Sequence, residues 1–328
     1  MKILFFKPHK MYVKYIKEWE SDNGINVDII DETLNEENIE KLKDYDGLVF
    51  TVSSKPKDDM YQQMADLGIK QISLTSVGFE QIDLDKASEA GLIVTNTPAY
   101  SPESIAEFTL MMILKALRHD KKIIENKIAN DYRQSENVLG QTLKGKTLGI
   151  YGLGRIGFLL AQYAHAFGAK VISHSTSPKP EAEGIVEMVD SYDQVIEQSD
   201  IISIHSALSD ENYHFFNKDA FDKMKDGVIM VNCARGGLVN TDDLLDALDS
   251  GKVGFASLDV FEDEDLIVRK NNPEFDNDTL ERLLNHPNTE IYPHISYFTN
   301  TSMKNQAQYS LNSVVEVLET GDSQNRVN

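Results

Sequence analysis

The stretch 148–180, LGIYGLGRIGFLLAQYAHAFGAKVISHSTSPKP, holds an apolar run, a glycine-rich turn, an apolar segment of helical length and a β-branched run ending in hydroxyl residues. Gly152, Gly154 and Gly157 stand at the spacing G-x-G-x-x-G between a strand pattern and a helix pattern, the context in which that spacing signifies a dinucleotide site. The first glycine permits a tight turn, the second lets backbone approach a pyrophosphate, and the third allows close helix–strand packing. The helix start adds N–H donors and positive potential, which makes Arg155 and Ile156 cofactor-binding candidates beside the glycines. The alternative is a glycine turn without a ligand.

Some twenty residues further on, an NAD site offers Asp or Glu to the ribose hydroxyls. This chain has His174, Ser175 and Thr176 there, with Lys179 close behind. A carboxylate would repel the extra phosphate of NADP, whereas hydroxyls and a cation remove that repulsion. No arginine stands in the segment, and a lysine is a less directional phosphate ligand than a guanidinium. The expectation is a cofactor site for NAD(P)(H), with NADP(H) slightly favoured or both accepted.

The same alternation extends outward in both directions. Runs such as KILFF, NVDII, GLVFT, KQISLT and GLIVTN fill the first hundred residues, and six more follow from TLGIYG to TEIYPH. Helical patterns such as EENIEKLKD and PKDDMYQQMADLG separate them, which predicts βαβ units, parallel sheets and an α/β fold. Two prolines in TNTPAYSPES interrupt the pattern before ESIAEFTLMMILKALRHD, a helix apolar nearly all round and so expected at a domain core or a subunit interface. The last helix, SMKNQAQYSLNSVVEVLETG, is expected to return to the first half.

Composition excludes several classes. Of 328 residues, 32 are basic and 53 acidic, for a net charge of −21, which disfavours nucleic acid and anionic membrane as partners. The opening has no secretory h-region and no apolar stretch is long enough for a bilayer, so the expected compartment is the cytoplasm. One cysteine rules out an intrachain disulfide, and the eight histidines show no metal-ligand spacing.

In doubly wound folds, ligands meet the carboxyl ends of the strands. Arg235, Asp259, Glu264 and His294 all follow strand patterns, and together could bind a substrate acid, tune a base and move a proton. Each also has a plainer reading: a structural ion pair for Arg235, a loop histidine for His294, and a solvated acidic run for Glu262 to Asp265.

The segments GLGRIG, NCARGGLVNTDDL, ASLDVFEDE and PHISYFT, in this order and with VGFEQIDL and NTPAYSPESIAEFT upstream, resemble those of the D-isomer-specific 2-hydroxyacid dehydrogenases. The insertion between Glu264 and His294 and the PAYSP segment make the chain most similar to the D-lactate and D-2-hydroxyisocaproate dehydrogenase branch. The resemblance implies two doubly wound domains around a cleft: a flavodoxin-like substrate domain (1–100 plus 299–328) and a Rossmann dinucleotide-binding domain (101–298). It further implies a homodimer and a small 2-keto or 2-hydroxy acid as substrate. Arg235 would clamp the substrate, His294 would be the acid/base and Glu264 its partner. Tyr100 would lie against the substrate, and Val77 and Gly78 would offer it N–H groups. Asp259 would face the nicotinamide carboxamide, with His205, Ser206, Asn212, Cys233 and Ala234 also lining the cofactor.

Two departures from the family pattern carry expectations. Ala207 replaces a usual proline, which is expected to loosen its loop. Thr51 stands where pyruvate-restricted members have a tyrosine, so the pocket is expected to be wider, unless Thr51 is only a strand residue. Glyoxylate/hydroxypyruvate or phosphoglycerate dehydrogenases are the alternative within enzymes. Outside them stands a dinucleotide-sensing, corepressor-like binding protein, against which the retained Arg235, Glu264 and His294 argue.

Overall fold

The computed structural model describes residues 1–51 and 56–328. The chain divides into two compact units, Met1–Ser101 with Phe298–Asn328, and Pro102–Tyr297. The first unit runs β1 (Lys2–Phe6), α1 (Tyr12–Asn23), β2 (Asn26–Ile30), β3 (Gly47–Phe50), α2 (Asp58–Asp66), β4 (Gln71–Leu74), α3 (Leu84–Glu89) and β5 (Ile93–Thr95). The second runs α4 (Pro102–Leu117), α5 (Asp120–Ile128), β6 (Thr147–Tyr151), α6 (Arg155–Ala166), β7 (Lys170–Ser173), β8 (Glu187–Met188) and α7 (Tyr192–Gln198). It continues through β9 (Ile201–Ile204), α8 (Lys218–Lys223), β10 (Val228–Asn232), α9 (Thr241–Asp249), β11 (Val253–Leu258), α10 (Asp278–Asn285) and β12 (Thr289–Ile291). Helix α11 (Asn300–Thr320) then completes the first unit.

In the first unit the strand order is β2-β1-β3-β4-β5, with parallel pairing throughout, which is the flavodoxin-like order. Such strands are covered on both faces and therefore read as continuous apolar runs; KILFF is one, with Ile3, Leu4 and Phe5 fully buried. Helix α11 seals one face with Met303, Ala307, Leu311, Val314 and Val317. Its approach is close enough that any Cβ at Gly47 on β3 would overlap Val314. Polar ties fix the register: the Ser73 hydroxyl donates to the Ser310 carbonyl (2.8 Å), and Trp19 Nε1 donates to Asn312 Oδ1 (2.7 Å).

The second unit has the order β12-β11-β10-β9-β6-β7-β8, again parallel, the doubly wound arrangement of dinucleotide-binding sheets. The order reverses between β6 and β9, so loops diverge from the carboxyl ends of these two strands, where such folds bind ligands. Helix α4 packs on α6 and the sheet, burying Ala106, Met112, Ile113, Ala116 and Leu117. Among the described residues, no helix is long and apolar enough to cross a membrane.

Three local expectations are corrected. EENIEKLKD forms only a short 3-10 turn, Ile39–Leu42, because Asn35 and Asn38 side chains accept from nearby backbone N–H groups and compete with helix hydrogen bonds. The long apolar helix ends at Leu117, and His119, at φ 52°, starts the separate helix α5. A seventh strand, β8, joins the second sheet where six were expected; its two residues, Glu187 and Met188, are exposed and give no apolar signal.

Candidate active site

The glycine turn is built as its spacing requires. Gly152 has φ +98°, and a Cβ there would lie 2.5 Å from the Ser206 N and 2.7 Å from the His205 carbonyl carbon. The loops after β6 and β9 therefore touch backbone to backbone. A Cβ on Gly157 would overlap the Gly152 carbonyl, whereas Gly154, the residue before α6, has open space in front of it. A turn with closed sides, an open front and a helix N-terminus behind fits a pyrophosphate.

At the end of β7, His174 Nδ1 lies 3.0 Å from the Val189 carbonyl, which fixes the proton on Nδ1 because a carbonyl only accepts. Ser175 Oγ accepts from Ser177 N (3.2 Å), and its own proton has no acceptor among the described residues. After β9, His205 Nε2 meets Ser203 Oγ at 2.8 Å, while its shielded Nδ1 has no partner among the described residues. Burial lowers the pKa of this imidazole to about 4, so it is neutral near pH 7. At Ala207, where a proline is usual, the Asn212 amide donates to the Ala207 carbonyl (2.8 Å) and accepts from Ser209 N (2.7 Å), so the loop is tied back on itself.

Three loops at the neighbouring strand ends carry the ionisable groups. At the end of β10, buried Asn232 accepts from Ala234 N (2.9 Å) and donates to the Arg235 carbonyl (2.9 Å), so one amide folds the turn that presents Arg235. Arg235 is half-buried, with Nη1 on the Ala234 carbonyl at 2.8 Å. Cys233 points inward, its Sγ 3.5 Å from Met112 Sδ; burial, and then the Asp259 charge, push this thiol above its ordinary value.

Asp259, fully buried after β11, spends both carboxylate oxygens on the backbone N–H groups of Ile295 (2.8 Å) and Ser296 (2.9 Å). Its carbonyl accepts from His294 N (2.9 Å). These three bonds hold His294 at φ 54°, a left-handed conformation that costs a non-glycine residue about 1–3 kcal/mol. His294 Nδ1 meets Glu264 Oε1 at 2.6 Å, and the other Glu264 oxygen accepts from Phe261 N (3.2 Å). A carboxylate only accepts, so the Nδ1 proton is fixed and Nε2 is the nitrogen left for chemistry. It makes no hydrogen bond among the described residues.

The candidates in the first unit lie at its own strand ends. After β4, Asn96 donates to the Val77 carbonyl (2.7 Å) and Ser76 Oγ to the Gly78 carbonyl (2.7 Å). The Val77 and Gly78 N–H groups make no hydrogen bond among the described residues. Tyr100 is buried and held through its carbonyl by Asn305 (2.6 Å). Thr51, after β3, gives its hydroxyl to the Lys7 carbonyl (2.9 Å).

Asn232 and His214 are not singled out by the sequence, and Glu262 is expected from it only as part of a solvated acidic run. Glu262 is not part of a solvated run: its carboxylate accepts from His214 Nε2 (2.6 Å), Thr241 N (2.9 Å) and Thr241 Oγ1 (2.7 Å). An asparagine closing an apolar strand run ahead of Cys-Ala-Arg-Gly-Gly was a usable signal for the first; nothing local distinguishes Glu262 from its acidic neighbours.

A family model described as D-isomer specific 2-hydroxyacid dehydrogenase, NAD binding domain, matches residues 110–296. A D-lactate dehydrogenase from Streptococcus pyogenes serotype M1 is 35% identical over 314 residues, 95% of either chain. A D-2-hydroxyacid dehydrogenase (NAD(+)) from Clostridioides difficile is 37% identical over 332 residues, 100% of either chain. The crystal structure of a D-lactate dehydrogenase from Treponema pallidum matches with a TM-score of 0.93 and 31% identity, covering 100% of both chains.

Proposed function

The chain belongs to the D-isomer-specific 2-hydroxyacid dehydrogenases, and from that premise we propose that it interconverts a 2-keto acid and a D-2-hydroxy acid with Arg235, Glu264 and His294 as its reacting set. The observation that carries this reading is the 2.6 Å His294–Glu264 pair, held by Asp259 at the sheet end that also presents Arg235. A bound nicotinamide supplies or accepts the hydride. The half-buried Arg235 guanidinium binds the substrate carboxylate and the carbonyl oxygen, on which negative charge develops. Protonated His294 donates from Nε2 to that oxygen, and Glu264 stabilises the imidazolium before transfer. Because Glu264 keeps the proton on Nδ1, the spent histidine is already the base required for oxidation. The family resemblance supports Val77 and Gly78, through their N–H groups, and Tyr100 as the first unit's own substrate-binding candidates. In this reading Met1–Ser101 with Phe298–Asn328 is the substrate domain, and Pro102–Tyr297 the dinucleotide-binding domain.

The cofactor cradle comprises Gly152, Gly154, Arg155, Ile156 and Gly157, with His174, Ser175 and Thr176 on the ribose side. His205, Ser206, Asn212, Cys233, Ala234 and Asp259 border its remainder. The Clostridioides difficile relative is named for NAD(+), but the free Ser175 proton and the missing carboxylate support NADP(H) as level with or ahead of NAD(H). Thr51 instead of a bulky side chain supports substrates larger than pyruvate. One panel tests all of this: kcat/KM with NADH and NADPH against pyruvate, 2-ketoisocaproate and phenylpyruvate. Turnover of the larger acids with both cofactors is expected. A hundredfold preference for NADH removes the NADP reading, a strong pyruvate preference removes the wider pocket, and no turnover of any keto acid removes the enzymatic reading. A homodimer is the proposed assembly, supported by α5, which exposes Ile123, Ile124 and Ile128 and has no buried residue.

A further inference from the structure

A second histidine–glutamate pair stands beside the first. His214 Nε2 meets Glu262 Oε1 at 2.6 Å, the separation also found between His294 and Glu264. The two pairs differ in what surrounds them. Asn240 Oδ1 accepts from Asp243 N (3.0 Å) as the cap of α9, so its Nδ2 faces outward and meets His214 Nδ1 at 3.2 Å. An amide nitrogen only donates, so His214 Nδ1 accepts and its proton sits on Nε2, aimed at Glu262. Glu262 closes its other oxygen with two bonds from Thr241. Burial pushes the Glu262 carboxyl up, but the bonds from His214 and Thr241 outweigh it and hold the group ionised below the usual carboxylate range. With both imidazole nitrogens and both carboxylate oxygens engaged, this pair has no site at which to exchange a proton with a substrate.

Its position supplies a different use. His214 lies on the loop after β9, which carries His205, Ser206 and Asn212. Asn240 and Thr241 end the loop after β10, which carries Arg235. Glu262 lies on the loop after β11, two residues before Glu264. The backbones are also in direct contact: His214 N donates to the Gly237 carbonyl (2.8 Å), and a Cβ on Gly236 would overlap the Phe261 carbonyl and lie 2.6 Å from Glu262 N.

We propose that His214, Glu262, Asn240 and Thr241 form a positioning strut that fixes the Arg235 turn against the Glu264 loop and the cofactor loop, and takes no part in proton transfer. This rests on the reading of Arg235, Glu264 and His294 as the reacting set. A displaced substrate clamp costs up to about a hundredfold, so Glu262→Ala is expected to raise KM for the keto acid and Kd for NADH about tenfold or more. The pH midpoints of kcat are expected to match those of the wild type.

The test combines keto-acid kinetics, a pH profile of kcat and NADH fluorescence titration on Glu262→Ala, on His214→Ala and on His214→Gln, whose amide can still donate to Glu262. Weakened binding in Glu262→Ala, recovery towards wild type in His214→Gln and unmoved pH midpoints support the strut. Wild-type KM and Kd in either folded Glu262→Ala or folded His214→Ala, or a shifted pH midpoint, overturn it; if Glu262→Ala does not fold, His214→Ala decides. If the wild-type chain reduces no keto acid but Glu262→Ala still loses NADH affinity, the reacting set is wrong and the strut stands.

Discussion

His294 combines a left-handed backbone with a committed tautomer. Its φ of 54° is maintained by Asp259, and its Nδ1 proton by Glu264. The residue is thus oriented before substrate arrives, which is how general acids contribute about 10²–10⁴-fold. His294→Ala is expected to lower kcat by at least about a hundredfold with little change in NADH affinity, measured by steady-state kinetics and fluorescence titration; near-full turnover removes the histidine from the reaction. His205 gives a stability prediction of opposite character. Its folded pKa of about 4 lies below the ordinary value of 6.5, so the unfolded chain takes up a proton more readily than the native one. Stability contributed by keeping this ring neutral is intact above pH 6.5 and is lost as pH falls towards 4. Between pH 7 and 5 the loss is expected to be about 1–2 kcal/mol. Urea denaturation of wild type and His205→Asn at the two pH values checks it; an equal pH dependence in both removes the attribution.

At the scale of elements, short parallel strands end in loops that touch one another without intervening side chains. Gly236 makes this most acute, since any Cβ there meets backbone atoms of Phe261 and Glu262, which cannot move aside cheaply. Gly236→Ala is expected to cost about 1–3 kcal/mol, as overpacking does, and to lower Tm by several degrees in calorimetry. An unchanged Tm would mean that the loops are not in contact. The same economy explains what could be read from the chain and what could not. Buried parallel strands announce themselves as apolar runs, and the glycine spacing of 152–157 announces its turn. Asp259 and His294 stood out because each follows such a run closely, whereas Glu264, inside an acidic stretch, was singled out by the family resemblance. Strand β8 was not, as two exposed residues carry no periodicity. The short turn at Ile39–Leu42 was misread because side-chain competition from Asn35 and Asn38 leaves the apolar spacing of a helix intact. Glu262 was hidden for a third reason: its partners are 21 and 48 residues distant in sequence, and only the fold assembles them.

For the molecule as a whole, the net charge of −21 favours mutual repulsion between copies, which apolar contact in a dimer would offset. Ile128, 78% exposed, with Ile123 and Ile124 on the same helix, is the obvious source of that contact. Ile124→Glu/Ile128→Glu is expected to convert a dimer to monomers in sedimentation velocity; a dimer that survives both changes is held elsewhere. The first unit, in turn, is assembled from segments far apart along the chain. Helix α11 covers its sheet, and Val327 N donates to the Val94 carbonyl (2.9 Å) beside it. During synthesis, therefore, the opening hundred residues emerge from the ribosome without the helix that shields them. At about 5–20 residues per second they wait tens of seconds for it, while Pro102–Tyr297 can already fold, and during that interval the uncovered sheet face is the part of the nascent chain most in need of a chaperone.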